Sequence, residues 1–168
     1  MPYLRDEVPE PQTERLFKGH NSWVWRLALS PDGKTLAGGG DWDDFRIHLW
    51  EVSTGKVLGV LEGHTNSVTG LVFSMDGSRL YSTSQDGTLR TWDLATRIQV
   101  GEPIVRADDR LRALAMSTDG TLAAGGNDKT LYIIPPKGTP IIKLVGQPNW
   151  ILSLAFSQDG NALAVGMW

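Results

Sequence analysis

Large apolar residues recur two apart along this chain, and each such pair runs into the same polar turn. Four segments share the pattern: Leu27-Ala-Leu-Ser-Pro-Asp-Gly33, Leu71-Val-Phe-Ser-Met-Asp-Gly77, Leu114-Ala-Met-Ser-Thr-Asp-Gly120 and Leu154-Ala-Phe-Ser-Gln-Asp-Gly160. Period two puts alternate side chains on one face and predicts a strand, and x-Asp-Gly predicts the turn that reverses it. A second short strand, rich in small residues, is predicted over 36–40, 80–84, 122–126 and 163–166. A third is predicted in the first three units, ending at Leu49-Trp50-Glu51, Thr91-Trp92-Asp93 and Ile133-Ile134-Pro135. A fourth, over 56–61, 98–105 and 140–145, leads into the next unit. The turn aspartates stand at 32, 76, 119 and 159, so the pattern returns every 40 to 44 residues.

Four short strands in that period make one propeller blade. Gly19-His20 and Gly63-His64 precede the first strand of their units, and Trp92-Asp93 closes a third strand. On these residues the chain resembles the WD-repeat family from about residue 14 to 168, most fully over 61–105. The repeats decay elsewhere. Unit one has Glu51 for the aspartate and two extra residues in Asp41-Trp42-Asp43-Asp44; unit three has Arg106-Ala107 for Gly-His and Ile134-Pro135 for Trp-Asp; unit four has Gly146-Gln147 for Gly-His. Pro135 lacks an N–H and is expected to end the pairing of its strand or to lie at an unpaired position.

The fold class expected is all-β: a partial, open β-propeller of WD-repeat type, with three four-stranded blades and a truncated fourth. Residues 1–13 read as a flexible leader and 14–168 as the propeller, with repeats near 19–60, 61–105, 106–145 and 146–168. Residues 14–18 are a candidate outer strand, which in the family often completes the last blade. A closed ring needs at least about four blades and family members commonly carry about seven. The chain is therefore expected to be a piece of a larger propeller or to be completed by another chain. A gene fragment without independent function is the alternative, and 163–165 would leave an unpaired strand edge.

His64, Ser82 and Asp86 spell a hydrolase triad. The resemblance implies something else: with Trp92 they form a buried hydrogen-bonded tetrad that staples one blade, each polar group supplying the other's partner. A catalytic reading needs an exposed nucleophile and an oxyanion hole, for which the sequence offers no signal. In unit one Gly38 replaces the serine, so His20, Asp44 and Trp50 form an incomplete version.

Three other motifs are weighed and set aside. Gly33-Lys34-Thr35 lacks the glycine a phosphate loop needs at position 28, which is alanine, and opens a strand instead of a helix. The carboxylates Asp41, Asp43 and Asp44 lack the alternating oxygens, central glycine and distal glutamate of a calcium loop. His48 has no second histidine at ligand spacing and is read as structural, so no metal is expected.

The turns between second and third strands and the loops ahead of the first strands fall on one end of a propeller, the end that in the family most often binds partners. Trp23, Ser67, Arg110 and Trp150 stand just before the first strands, and Trp42, Asp43, Gln85 and Asn127 in the turns. Tryptophan and arginine there exceed what turn chemistry requires and are typical interface anchors. The competing reading has the tryptophans tucked over their own blades.

Composition narrows the function classes. Sixteen Lys plus Arg against nineteen Asp plus Glu give a formal net charge of −3, a poor match to nucleic acid or an anionic membrane. Without cysteine there is no disulfide scaffold, thiolate metal site or thiol catalysis. No apolar run approaches the ~18 residues needed to span a bilayer, and the first ten residues lack a signal peptide's apolar stretch, so the cytoplasm is the compartment expected. A non-catalytic protein-interaction scaffold, without cofactor, is the function expected. Its partners would be other proteins or the remaining blades. A lactonase-like propeller enzyme with a channel metal is the rival class, and it would need carboxylates or histidines on first strands that instead carry Leu, Ala, Val, Phe and Met.

Overall fold

Each apolar pair with its polar turn folds as an antiparallel hairpin in the computed structural model, which describes residues 15–136 and 140–168. The leader expected over 1–13 lies outside the described residues. The first sheet is β1 (Val24–Leu29), β2 (Thr35–Gly40), β3 (Ile47–Glu51) and β4 (Val57–Leu61), in that order. The second is β5 (Val68–Phe73), β6 (Arg79–Ser84) and β7 (Thr88–Asp93), with β8 (Ile98–Gln99) and β9 (Val105–Arg106) both paired to β7. The third is β10 (Leu111–Met116), β11 (Leu122–Gly126), β12 (Leu131–Ile134) and β13 (Ile142–Leu144); β14 (Ile151–Phe156) and β15 (Leu163–Met167) form the fourth. The described residues are all-β, arranged as the blades of a propeller.

The hairpin turns explain the repeated Ser-x-Asp-Gly. In each, the aspartate accepts from the serine two residues before it and from the backbone N–H two residues after it. Ser74 Oγ lies 2.6 Å and Ser78 N 3.0 Å from Asp76 Oδ1, and Ser157 and Asn161 repeat this on Asp159 at 2.5 and 3.1 Å. These donors favour the ionised carboxylate and hold Asp32 and Asp119 below the ordinary range, with Asp76 and Asp159 down to about 2. Every first hairpin also carries a bulge at the same place, between Val24 and Arg26, Val68 and Gly70, Leu111 and Ala113, and Ile151 and Ser153. A bulge bends and twists its strand locally, and here it falls beneath the loop end.

Successive blades meet through their first strands, β1 on β5, β5 on β10 and β10 on β14. One core fills each gap: Ile47, Leu49, Val68, Leu71 and Trp92 between the first two blades, Leu89, Leu111, Leu122 and Ile134 between the next two, and Ala113, Leu131 and Ile151 in the last. Small residues of the second strands make these approaches possible. A Cβ on Gly39 would lie 2.6 Å from Val68, and one on Gly125 would lie 2.8 Å from Ile151.

Two expectations change in detail. The outer strand over 98–105 is broken in two, because Gly101 turns with φ 62° and Pro103 has no N–H to give the ladder. Residues 15–18 form no strand; Phe17 packs edge-on to Trp50 with ring centroids 5.9 Å apart, so this segment covers the first blade. β12 stops at Ile134, immediately before Pro135. On the open side of β1, Leu27 and Leu29 are 63% and 56% exposed.

Candidate functional site

In unit two a continuous line of hydrogen bonds crosses the blade from indole to carboxylate. Trp92 Nε1 donates to Ser82 Oγ at 2.7 Å, the hydroxyl meets His64 Nε2 at 2.7 Å, and His64 Nδ1 meets Asp86 Oδ2 at 2.8 Å. Each atom has a complementary partner if the imidazole is uncharged and carries its proton on Nδ1. Burial pushes the His64 pKa down, which favours that uncharged ring. Burial also opposes ionisation of Asp86, but donors from His64, Thr88 and the Thr65 N–H outweigh it and leave the carboxyl well below its usual range. Ser82 is 0% exposed, so its hydroxyl meets no solvent.

Unit one departs from this arrangement where Gly38 stands for the serine. A Cβ there would lie 2.7 Å from the Trp50 ring, and the indole instead donates to the Lys18 carbonyl at 2.8 Å. His20 keeps Asp44 Oδ2 at 2.8 Å on Nδ1 but meets the Gly38 carbonyl at 3.0 Å on Nε2. His48, distant from His20 in sequence, lies beside it with ring centroids 4.1 Å apart. It is 4% exposed, and burial pushes its pKa down. Unit three keeps Asp128, whose carboxylate accepts from the Tyr132 hydroxyl at 2.6 Å in place of an imidazole.

At the loop end, one backbone bond recurs in all four units. The N–H groups of Asp41, Gln85, Asn127 and Trp168 donate to the carbonyls of Trp23, Ser67, Arg110 and Trp150 respectively. The candidate partner residues thus pair turn to loop, but their side chains divide. A cleft of about 390 Å³ at the loop end of the first three blades is lined by Trp42, Ser67, Gln85 and Arg110, joined by Trp25, Asp41, Phe45 and Asn66. Trp25 lies inside β1 at the bulge between Val24 and Arg26, where no loop or turn signal in the sequence marks it. Ser67 is buried and donates its hydroxyl to Asp41, so it braces the cleft from below. Asp43 is exposed beside Trp42, and Trp23 is exposed away from the cleft lining. Over the last two blades Trp150 stacks on Trp168 at 5.6 Å and under the Arg112 guanidinium, while Asn127 accepts from Arg112 Nε at 2.5 Å.

The family model for the WD domain, G-beta repeat, matches residues 11–51, 55–93 and 138–168. The chain belongs to the WD-repeat family. The matched repeats include the tetrad of unit two and pass over the degenerate unit three. Among WD-repeat relatives, Nuclear distribution protein PAC1 of Arthroderma otae is 30% identical, aligned over 95% of this chain and 41% of its own length. Periodic tryptophan protein 2 of Saccharomyces cerevisiae is 44% identical over 56% of this chain and 10% of its own. U3 snoRNP-associated protein-like EMB2271 of Arabidopsis thaliana is 30% identical over 82% of this chain and 28% of its own. The chain thus spans well under half the length of each of these WD-repeat proteins. No described helix is long and apolar enough to cross a membrane.

Proposed function

We propose that this WD-repeat chain is a non-catalytic scaffold that receives a partner protein in the cleft beneath Trp42. The observation that carries the reading is the backbone of that residue. Trp42 has φ 32°, in the left-handed region, and its side chain is 72% exposed. A bulky residue held there costs roughly 1–2 kcal/mol, and exposure recovers none of this by burial. Binding supplies a reason for both, since tryptophan anchors interfaces through large rigid contact area. Trp25, Phe45 and Arg110 complete an aromatic and cationic lining suited to a protein surface.

The exposed Leu27 and Leu29 of β1 favour a further contact, in which additional blades of the same type continue the propeller past the first sheet. Similarity to the U3 snoRNP-associated protein-like EMB2271 favours a partner within a larger protein or ribonucleoprotein assembly. A hydrolase reading of His64, Ser82 and Asp86 lacks support, because the Ser82 hydroxyl is enclosed and already holds Trp92 and His64.

Affinity capture with the full chain tests the cleft. Proteins retained by the wild type should be lost with the Trp42→Ala, Arg110→Ala double variant and kept with Met75→Ala, which alters the opposite, hairpin-turn end. An unchanged set on the double variant would sink the proposal.

A further inference from the structure

We propose that His20, Asp44 and His48 hold a divalent transition-metal ion, zinc in the first instance. Each residue offers one ligand atom, and the three atoms lie within 4.8 Å of one another. His20 Nδ1 is 2.8 Å and His48 Nε2 is 3.5 Å from Asp44 Oδ2. Tetrahedral bonds of ~2.0–2.1 Å place neighbouring ligand atoms about 3.4 Å apart, so the ion needs only a small opening of the His20–Asp44 contact.

Two features of the cluster point to a cation: unpartnered nitrogens on His48 and a surplus of acceptors around His20. The first is His48, whose two ring nitrogens are both buried without a hydrogen-bond partner among the described residues. Its counterpart in unit two is Arg90, which bonds Thr88 and Gln99 at 3.0 and 2.7 Å. Buried polar groups in folded proteins are rarely left so. The second is His20, whose nitrogens face a carbonyl and a carboxylate, both acceptors. An uncharged imidazole has one N–H for these two sites. With that proton on Nε2 toward Gly38, the Nδ1 lone pair points at Asp44 Oδ2. A metal ion between them accepts both lone pairs, and the Nε2 lone pair of His48 as well. Unit two has no such conflict, because the Ser82 hydroxyl can donate.

The surroundings suit a ligand set. Arg46 Nε holds the other carboxylate oxygen of Asp44 at 2.7 Å, and the Gly38 carbonyl fixes the outer nitrogen of His20, the kind of support that orients ligands at metal sites. Of the two ring nitrogens of His48, Nε2 is the one that faces Asp44, at 3.5 Å from Oδ2, and so is the one placed to bind an ion. Two imidazoles and one carboxylate select zinc, copper or nickel over calcium or magnesium, with water in the fourth position.

The test uses the full chain after chelation, titrated with zinc chloride by calorimetry and followed by imidazole ¹H–¹⁵N spectra. One equivalent of zinc should bind, shifting the signals of His20 and His48 and leaving those of His64, the third histidine of the chain, in place. Cobalt(II) at the same site should give the strong visible absorption of tetrahedral coordination. His48→Gln should weaken binding at least ~10-fold. Absence of stoichiometric binding, retention of full affinity in His48→Gln, or shifts confined to His64 would overturn the assignment. The wild-type spectra decide the matter even if the variant fails to fold.

Discussion

Replacing Ser82 by alanine removes one hydroxyl and strands two ring nitrogens. Trp92 Nε1 and His64 Nε2 each lie 2.7 Å from that oxygen, in a region where Trp92 is 1% and His64 7% exposed. Leaving a buried polar group unpaired costs about 1–3 kcal/mol. With both groups orphaned and some relaxation allowed, Ser82→Ala should destabilise the chain by about 2–4 kcal/mol. Urea unfolding followed by tryptophan fluorescence measures this as a fall in midpoint of roughly 1–2 M, for a slope near 2 kcal/mol/M. Amide exchange should accelerate first in β6 and β7, since blades in a repeat array lose protection locally. Unit one supplies the companion experiment. Gly38→Ser adds the missing hydroxyl but places its Cβ 2.7 Å from the Trp50 ring, which already donates to Lys18, so it should destabilise as well. A Ser82→Ala loss under about 0.5 kcal/mol would refute the view that the tetrad holds the blade.

Two further predictions follow from the turns and the cleft. Carboxyl ¹³C titration should find Asp76 and Asp159 ionising near about 2, held down first by the hydroxyls of Ser74 and Ser157. Because these folded values lie below the unfolded one, their contribution is complete above about pH 5 and is lost as pH falls from ~4 toward 2; Asp76→Asn should flatten that slope. Trp42→Gly relieves the positive φ and should raise stability by about 1 kcal/mol in the same urea assay while abolishing partner capture. A variant that loses stability would show that the tryptophan is packed for the fold.

What could be read from the chain was whatever is local. Alternating pairs such as Leu71 and Phe73 specify strands, and Ser74-Met-Asp-Gly77 contains every donor and acceptor its turn uses. Glycines such as Gly39 announce a close approach, although only the packed blades reveal that Val68 is what approaches. The rest depends on register and on contacts distant in sequence. The four bulges leave no mark in composition, because they follow from how each hairpin twists around a shared axis. The Trp50 indole could not be traced to the Lys18 carbonyl, and the side-by-side rings of His20 and His48 depend on which strands are neighbours. Ser67 looked like a loop contact, yet its hydroxyl turns inward to Asp41. Phe45 and Trp25 join the cleft only because the blade brings a turn and a first strand together.

The proposed docking of partners over Trp42 at the loop end can be trapped chemically. A photo-crosslinking phenylalanine derivative placed at Phe45, and in a separate chain at Met75, tests it most directly. Docking in the cleft should give defined protein adducts from position 45, abolished by Trp42→Gly, and none from the hairpin-turn end. Adducts from position 75 with none from position 45 would contradict it.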